Sequence, residues 1–191
     1  MPLEISWSAA SSGLPFQLAV VSIFYLLMTF DLLAAVMVLL IAVNVAVTWA
    51  LKRIVRGKRP DGADHGTCAN LGSGVSVANG DAWGMPSGHT QLAFSFFAFA
   101  AFVVLWRFYP SAGRGDWSWR QHAFLLVSLP IFVLLPLMVA YQRCRSRCHS
   151  PAQVCVGAAI GLLLAGLAAL FMKQLRRDPI GQSCSGKVAR W

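Results

Sequence analysis

Residues 32–51 read LLAAVMVLLIAVNVAVTWAL. A helix needs about 20 mostly apolar residues to cross the bilayer hydrocarbon core, and this run carries no charge. In hydrocarbon each backbone polar group must be satisfied within the protein, so a lone spanning segment is helical. Upstream, apolar character reaches back to Phe16, broken by Asp31. Phe16–Leu51 is too long for one span and divides into two, about Leu14–Phe30 and about Leu32–Leu51, with a tight turn near Asp31. The first is short and reads equally as a tilted or interfacial helix. Downstream, Ser87–Trp106, His122–Tyr141 and Ala152–Met172 form three further apolar runs. Pro130 and Pro136 are expected to kink the fourth span. Gly157 and Gly161 have GxxxG spacing, followed by Gly166, which predicts close helix packing. The chain therefore reads as all-α, a polytopic transmembrane helical bundle of about five spans. Residues 1–191 form a single domain, with its core at about 32–172 and a basic, polar tail at 173–191.

Composition agrees. Apolar residues make up 57% of the 191-residue chain and charged residues only 12%. A soluble domain carries roughly 25% charged residues, so this chain lacks the polar groups to cover itself in water. The net charge of +9 could suggest nucleic acid, but the cations are gathered between apolar runs, as in membrane loops. The first charge is Glu4 and no basic n-region precedes it, so no signal peptide of the usual form is expected. The cysteines are Cys68, Cys144, Cys148, Cys155 and Cys184. Cys144 and Cys148 have no second pair with metal-ligand spacing, so no metal is expected. A disulfide among Cys68, Cys144 and Cys148 stays open, depending on whether their side is oxidising.

Five spans put Lys52–Pro86 and Gln142–Ser150 on one side, and Arg107–Gln121 and the tail on the other. Polar clusters then converge on one membrane face. In the first, Lys52 and Arg59-Pro60 are seven residues apart, about two helical turns; alone it could be a stop-transfer signal. The second, Pro86-Ser87-Gly88-His89, precedes an apolar run and looks like a helix start. Free N–H groups and the dipole at such a terminus favour phosphate. Ser87 adds a hydroxyl, Gly88 allows close backbone approach, and His89 titrates near neutrality. The third holds Arg143, a bidentate phosphate fork, and His149, a candidate nucleophile. Ser150 and Gln153 fit a capping box around Pro151; alternatively, Gln153 accepts a proton from the His149 ring and leaves the other nitrogen free to attack.

Taken in order, Lys52-x6-Arg59-Pro60, Pro86-Ser87-Gly88-His89 and Arg143-x5-His149-x3-Gln153 resemble the type 2 phosphatidic acid phosphatase superfamily, whose pattern is K-x6-RP, PSGH and SR-x5-H-x3-D. Gln142 replaces its Ser and Gln153 its Asp. The stretches Pro86–Gln91 and His149–Val154 look like the dolichyl diphosphatase branch. The resemblance implies a lipid phosphatase working without metal or other cofactor, at the membrane interface. His149 would attack phosphorus to form a phosphohistidine, with His89 as acid and then base and Gln153 supporting His149. Lys52, Arg59, Arg143, Ser87 and the Gly88 backbone would hold phosphate oxygens. The expected partners are the bilayer and a lipid phosphate or diphosphate, with no nucleic acid; oligomeric state is left open. The branch implies dolichyl diphosphate and a site facing the lumen of the endoplasmic reticulum. Alternatives are phosphatidate or a bacterial polyprenyl diphosphate as substrate, or a catalytically silent membrane scaffold.

Outside the motifs, Arg56, Lys58, Arg145 and Arg147 read either as a rim attracting anionic headgroups or as a solvated face. Asp61, Asp64, Asp81 and His65 read as loop solvation, and Trp83 as an interfacial anchor. With the motif cations set aside, Arg53, Arg56, Lys58, Arg145 and Arg147 lie on the site side. Arg107, Arg114, Arg120, Lys173, Arg176, Arg177, Lys187 and Arg190 lie opposite. This asymmetry favours a cytoplasmic opposite side and a site facing the lumen or periplasm.

Overall fold

The computed structural model describes residues 17–61, 68, 83–112 and 119–177. Leu14, where the first span is expected to begin, the loop residues Asp64, His65 and Asp81, and the tail beyond Arg177 lie outside them. The described residues form five helices: α1 Gln17–Thr29, α2 Leu32–Val55, α3 Gly88–Ala112, α4 Trp119–Arg145 and α5 Pro151–Arg177. Four of them, α2 to α5, are long and apolar enough to cross a membrane. The protein is an all-helical, multi-pass membrane bundle.

At 1.5 Å per residue, the described part of α1, Gln17–Thr29, covers about 20 Å of a hydrocarbon core about 30 Å thick; residues 14–16 of the expected first span lie outside the described residues. The turn expected near Asp31 is present: Phe30 is left-handed at φ 48°, Asp31 is extended at the N-cap of α2, and its carbonyl accepts from Ala35 N–H. At its other end α2 continues past Leu51, so the loop expected from Lys52 begins four residues later. Lys52 and Arg53 occupy the last turn, where cations suit the helix dipole. Arg56, left-handed at φ 48°, stops the helix.

α3 lies at the centre and packs most heavily against α5, then α4 and α2. Being buried from several sides, it is the helix whose apolar residues are least one-sided. Phe99 of α3 is fully buried with Val36 and Leu40 of α2 and Ala165, Ala169 and Met172 of α5. Ala93 and Phe97 of α3 pack with Val139 of α4. Large apolar residues such as Leu126 and Leu163 point outward, as lipid-facing side chains do. α4 runs through both Pro130 and Pro136.

The glycine pattern is explained by contact between α5 and α3. A Cβ on Gly157 would lie 2.6 Å from the backbone oxygen of Ser87, and one on Gly161 would strike that of Gln91. Gly166 has nothing within 4 Å of that position, so it takes no part in this approach. Two buried amides tie α2 to α3: Gln91 Nε2 donates to Asn44 O and Oδ1, both at 3.3 Å. Such bonds are worth about 0.6–2 kcal/mol in a membrane.

These contacts make a paired expectation. Gly161→Val forces a branched side chain onto a backbone carbonyl and costs on the order of 2–3 kcal/mol. Its melting temperature in detergent should fall by about 5–10 °C. Gly166→Ala, with open space around it, should leave that temperature within about 2 °C.

Candidate active site

The site lies at one end of the bundle, where α2 and α4 end and α3 and α5 begin. Lys52 comes from the last turn of α2 and Arg143 from the last turn of α4. Arg59 follows the α2 terminus, and His89 is in the first turn of α3. His149 sits in the turn that joins α4 to α5. That turn is tight: Ser146 N–H donates to Gln142 O, Arg147 N–H to Cys144 O and His149 N–H to Arg143 O. Arg147 takes φ 53°, which reverses the chain. His149 is thereby held beside Arg143.

Two long-range connections reach this turn from residues that follow α2. Arg59 Nη1 donates to Cys148 O at 3.1 Å. A disulfide joins Cys68 to Cys148, resolving the pairing that the sequence leaves open. Cys144 and Cys155 are free. Among the described residues no group of three or more His, Cys, Asp and Glu is placed to hold a metal ion.

The electrostatics are those of an anion site. Arg143 is 3% exposed, and its Nε and Nη2 are buried with no hydrogen-bond partner among the described residues. Leaving buried donors unpaired costs about 1–3 kcal/mol each, and more for a charged group. Phosphate oxygens, which accept bidentately from guanidinium, would offset this. His149 is 5% exposed. Burial, followed by the charges of Arg59 and Lys52, lowers its pKa from 6.5 to about 3; the Gly84 hydrogen bond pulls upward and Arg143 pulls down. The ring is therefore neutral at physiological pH, the form whose free nitrogen is nucleophilic. Burial also lowers the Arg59 guanidinium below its ordinary range.

Ser87, Gly88 and Gln153 are placed differently from the simplest reading of the sequence. Ser87 Oγ is 3.0 Å from Thr90 Oγ1, and Ser87 N–H donates to Gln153 O. Gly88 faces Thr48 of α2: a Cβ there would lie 2.9 Å from Thr48 Cγ2, so packing explains this glycine. The capping box forms in both directions, with Ser150 N–H donating to Gln153 Oε1 and Gln153 N–H to Ser150 Oγ. Gln153 Nε2 donates to Lys58 O at 2.7 Å. The expectation that Gln153 accepts from the His149 ring is thus corrected. Its oxygen accepts from Ser150 N–H of the cap, and His149 Nδ1 instead lies 2.7 Å from the carbonyl of Gly84. Gly84 escapes sequence reading because a backbone carbonyl has no side-chain signature; its place just before Met85-Pro86 was the available hint. Outside the pocket, Arg53, Arg56, Lys58, Arg145 and Arg147 are exposed, as is Asp61, in keeping with a solvated rim. Arg53 stacks on Trp49 at 3.6 Å.

The model of the PAP2 superfamily matches residues 32–177. The chain belongs to the PAP2 superfamily. That span contains the PAP2 pattern from Lys52 to Gln153. Human Dolichyldiphosphatase 1 is 27% identical over 127 residues, covering 65% of this chain and 47% of that protein. The protein of the same name from Callithrix jacchus is 26% identical over 137 residues, 71% of this chain and 51% of that one. The chain spans about half the length of these curated relatives. No solved structure is a significant match.

The His149 environment fixes a pH dependence. An unfolded imidazole binds a proton near pH 6.5 and the folded one only near 3. The unfolded state binds more protons throughout that window, so stability should fall as pH drops from about 6.5 toward about 3. Side-chain ¹⁵N NMR should show His149 neutral down to about pH 4. Arg59→Met removes a depressing charge and should raise the titration toward its ordinary value. A midpoint near 6 in the unaltered protein contradicts this electrostatic picture.

The disulfide gives a separate expectation. Cys148→Ser should lower kcat several-fold, since it removes the disulfide that ties the turn bearing His149 to Cys68. Cys155→Ser, at an exposed position, should leave kcat unchanged. Both are read from phosphate release by purified protein.

Proposed function

We propose that this PAP2 member is an integral membrane phosphatase that removes the terminal phosphate of a polyprenyl diphosphate such as dolichyl diphosphate, through a phosphohistidine on His149. The observation that carries this reading is the pairing of a neutral, buried His149 with a buried Arg143 whose Nε and Nη2 have no partner among the described residues. A nucleophile beside unsatisfied cationic donors fits phosphoryl transfer, where positioning and charge stabilisation supply most of the catalysis. The Dolichyldiphosphatase 1 relatives support the choice of lipid.

In the first step the free ring nitrogen of His149 attacks the terminal phosphorus. The bond from phosphorus to the bridging oxygen breaks, and His89 protonates that oxygen as the lipid monophosphate leaves. In the second step water attacks the phosphohistidine and gives its proton to His89. The phosphorus–nitrogen bond breaks, releasing inorganic phosphate and restoring His149. Lys52, Arg59 and Arg143 hold the equatorial oxygens. Ser87 contributes its hydroxyl, which is paired with that of Thr90, and the first-turn N–H groups of α3 supply the helix-terminus field.

The whole chain is read as one domain with this site facing an oxidising compartment, the lumen of the endoplasmic reticulum or its equivalent. The Cys68–Cys148 disulfide on the site side supports that orientation, because such bonds persist where thiols are not kept reduced. The larger number of cations on the opposite side points the same way.

The test is phosphate release by the purified protein in detergent, with chelator present, from dolichyl diphosphate, dolichyl phosphate and phosphatidate. Dolichyl diphosphate should be cleaved fastest, and His149→Ala should lower kcat by about a thousandfold or more. Faster release from phosphatidate overturns the choice of lipid. Activity that survives His149→Ala overturns the nucleophile. No release from any substrate favours a silent scaffold.

A further inference from the structure

The family pattern has a carboxylate at position 153, where this chain has Gln153, and the hydrogen bonds around that residue describe a different division of labour. His149 Nδ1 faces the Gly84 carbonyl at 2.7 Å. A carbonyl only accepts, so Nδ1 carries the hydrogen and Nε2 keeps the lone pair. The placement of that carbonyl is fixed from several directions. Gly84 N–H donates to Gly57 O at 2.7 Å. The position a Gly84 Cβ would occupy is 2.9 Å from Gln153 Nε2, 3.0 Å from Gln153 Oε1 and 3.0 Å from Arg59 Cγ. Gly57 is similarly closed, a Cβ there falling 2.7 Å from Met85 Cβ.

Gln153 fastens this assembly to α5. Its Oε1 accepts from Ser150 N–H, its Nε2 donates to Lys58 O, and its own carbonyl accepts from Ser87 N–H. One residue thus links the start of α5, the segment preceding Arg59, and the residue just before α3. The donation to Lys58 O requires an N–H. A carboxylate at position 153 would present only acceptors to a carbonyl oxygen and would break that link. Glutamine suits this site because it must accept on one arm and donate on the other.

We propose that the Gly84 backbone carbonyl orients the nucleophile, and that Gln153 is a positioning residue that acts through it by pinning residues 57–59 and 84 to the start of α5. This deepens the proposed function and rests on His149 being its nucleophile. The neutral carbonyl holds the tautomer without adding a negative charge, so His149 works as a free imidazole surrounded by cations.

The experiment uses the full-length protein in detergent, with ¹⁵N-labelled histidine and phosphate release from dolichyl diphosphate. In the unaltered protein the NMR spectrum should show His149 as a single tautomer with Nδ1 protonated. Gln153→Glu keeps the chain length and the acceptor for the cap but removes the donor to Lys58 O. It should lower kcat by roughly tenfold or more with little change in KM, and should mix the His149 tautomers. Gln153→Asp should also lose activity. Gly84→Ala should lower kcat comparably by pushing a methyl group into the Gln153 amide. Gly84→Ala combined with Gln153→Ala should be no worse than Gln153→Ala alone, since both disturb one linkage. Three results overturn the proposal: an Nε2-protonated His149, a Gln153→Asp protein as active as the parent with a raised His149 pKa, or additive losses in the double variant. The tautomer is read without turnover, so a failure of the proposed activity is distinguishable from a failure of this inference.

Discussion

Arg143, Arg59 and Lys52 crowd around the buried His149 imidazole, and this concentration of positive charge in a desolvated place is the constraint that the fold serves. Each buried cation costs several kcal/mol unless something compensates it. The bundle end holds the cluster together: Arg143 is carried on a continuous helix, Arg59 is fastened to the Cys148 carbonyl, and the Cys68–Cys148 disulfide secures the turn that bears His149. The repulsion raises the energy of the site without substrate. The proposed phosphate or diphosphate substrate, carrying the opposite charge, would relieve it.

The membrane decides where this site can be. Within hydrocarbon, α2 to α5 satisfy their own backbones and offer little chemistry. Reactive groups are therefore confined to the ends, where helix termini and loops meet headgroups. The close approach of α5 to α3 through Gly157 and Gly161 brings the start of α3 against the start of α5. Ser87 N–H on Gln153 O is a direct consequence. Packing within the membrane and geometry in the pocket are thus one problem, since a helix displaced at Gly157 also displaces Ser87 and, through it, Gln153.

The residues that sequence reading could find were polar side chains interrupting apolar runs. Lys52, Arg59, His89, Arg143 and His149 stand out for that reason, and the structure gathers their segments at one end of the bundle. The turn at Asp31 and the capping box at Ser150 were visible because both follow from local spacing. What was hidden depended on atoms or paths without a local signature. Gly84 contributes a carbonyl. The partner of Cys148 depends on the course of a long loop. Gln153 was legible as either a cap or a support for His149, since its distance along the chain suits both; only the three-dimensional position of Lys58 O and Gly84 O separates them. Gly88 shows the same limit, a glycine that reads as an anion contact from sequence and meets Thr48 in the folded protein.

A neutral, cation-flanked His149 is proposed to take the phosphoryl group itself. This is tested most directly by incubating the protein with dolichyl diphosphate labelled in its terminal phosphate, quenching rapidly in base to preserve phosphohistidine, and mapping the label by peptide mass spectrometry. Label is expected on His149, bonded through Nε2. Label on His89, or on any other residue, would contradict it.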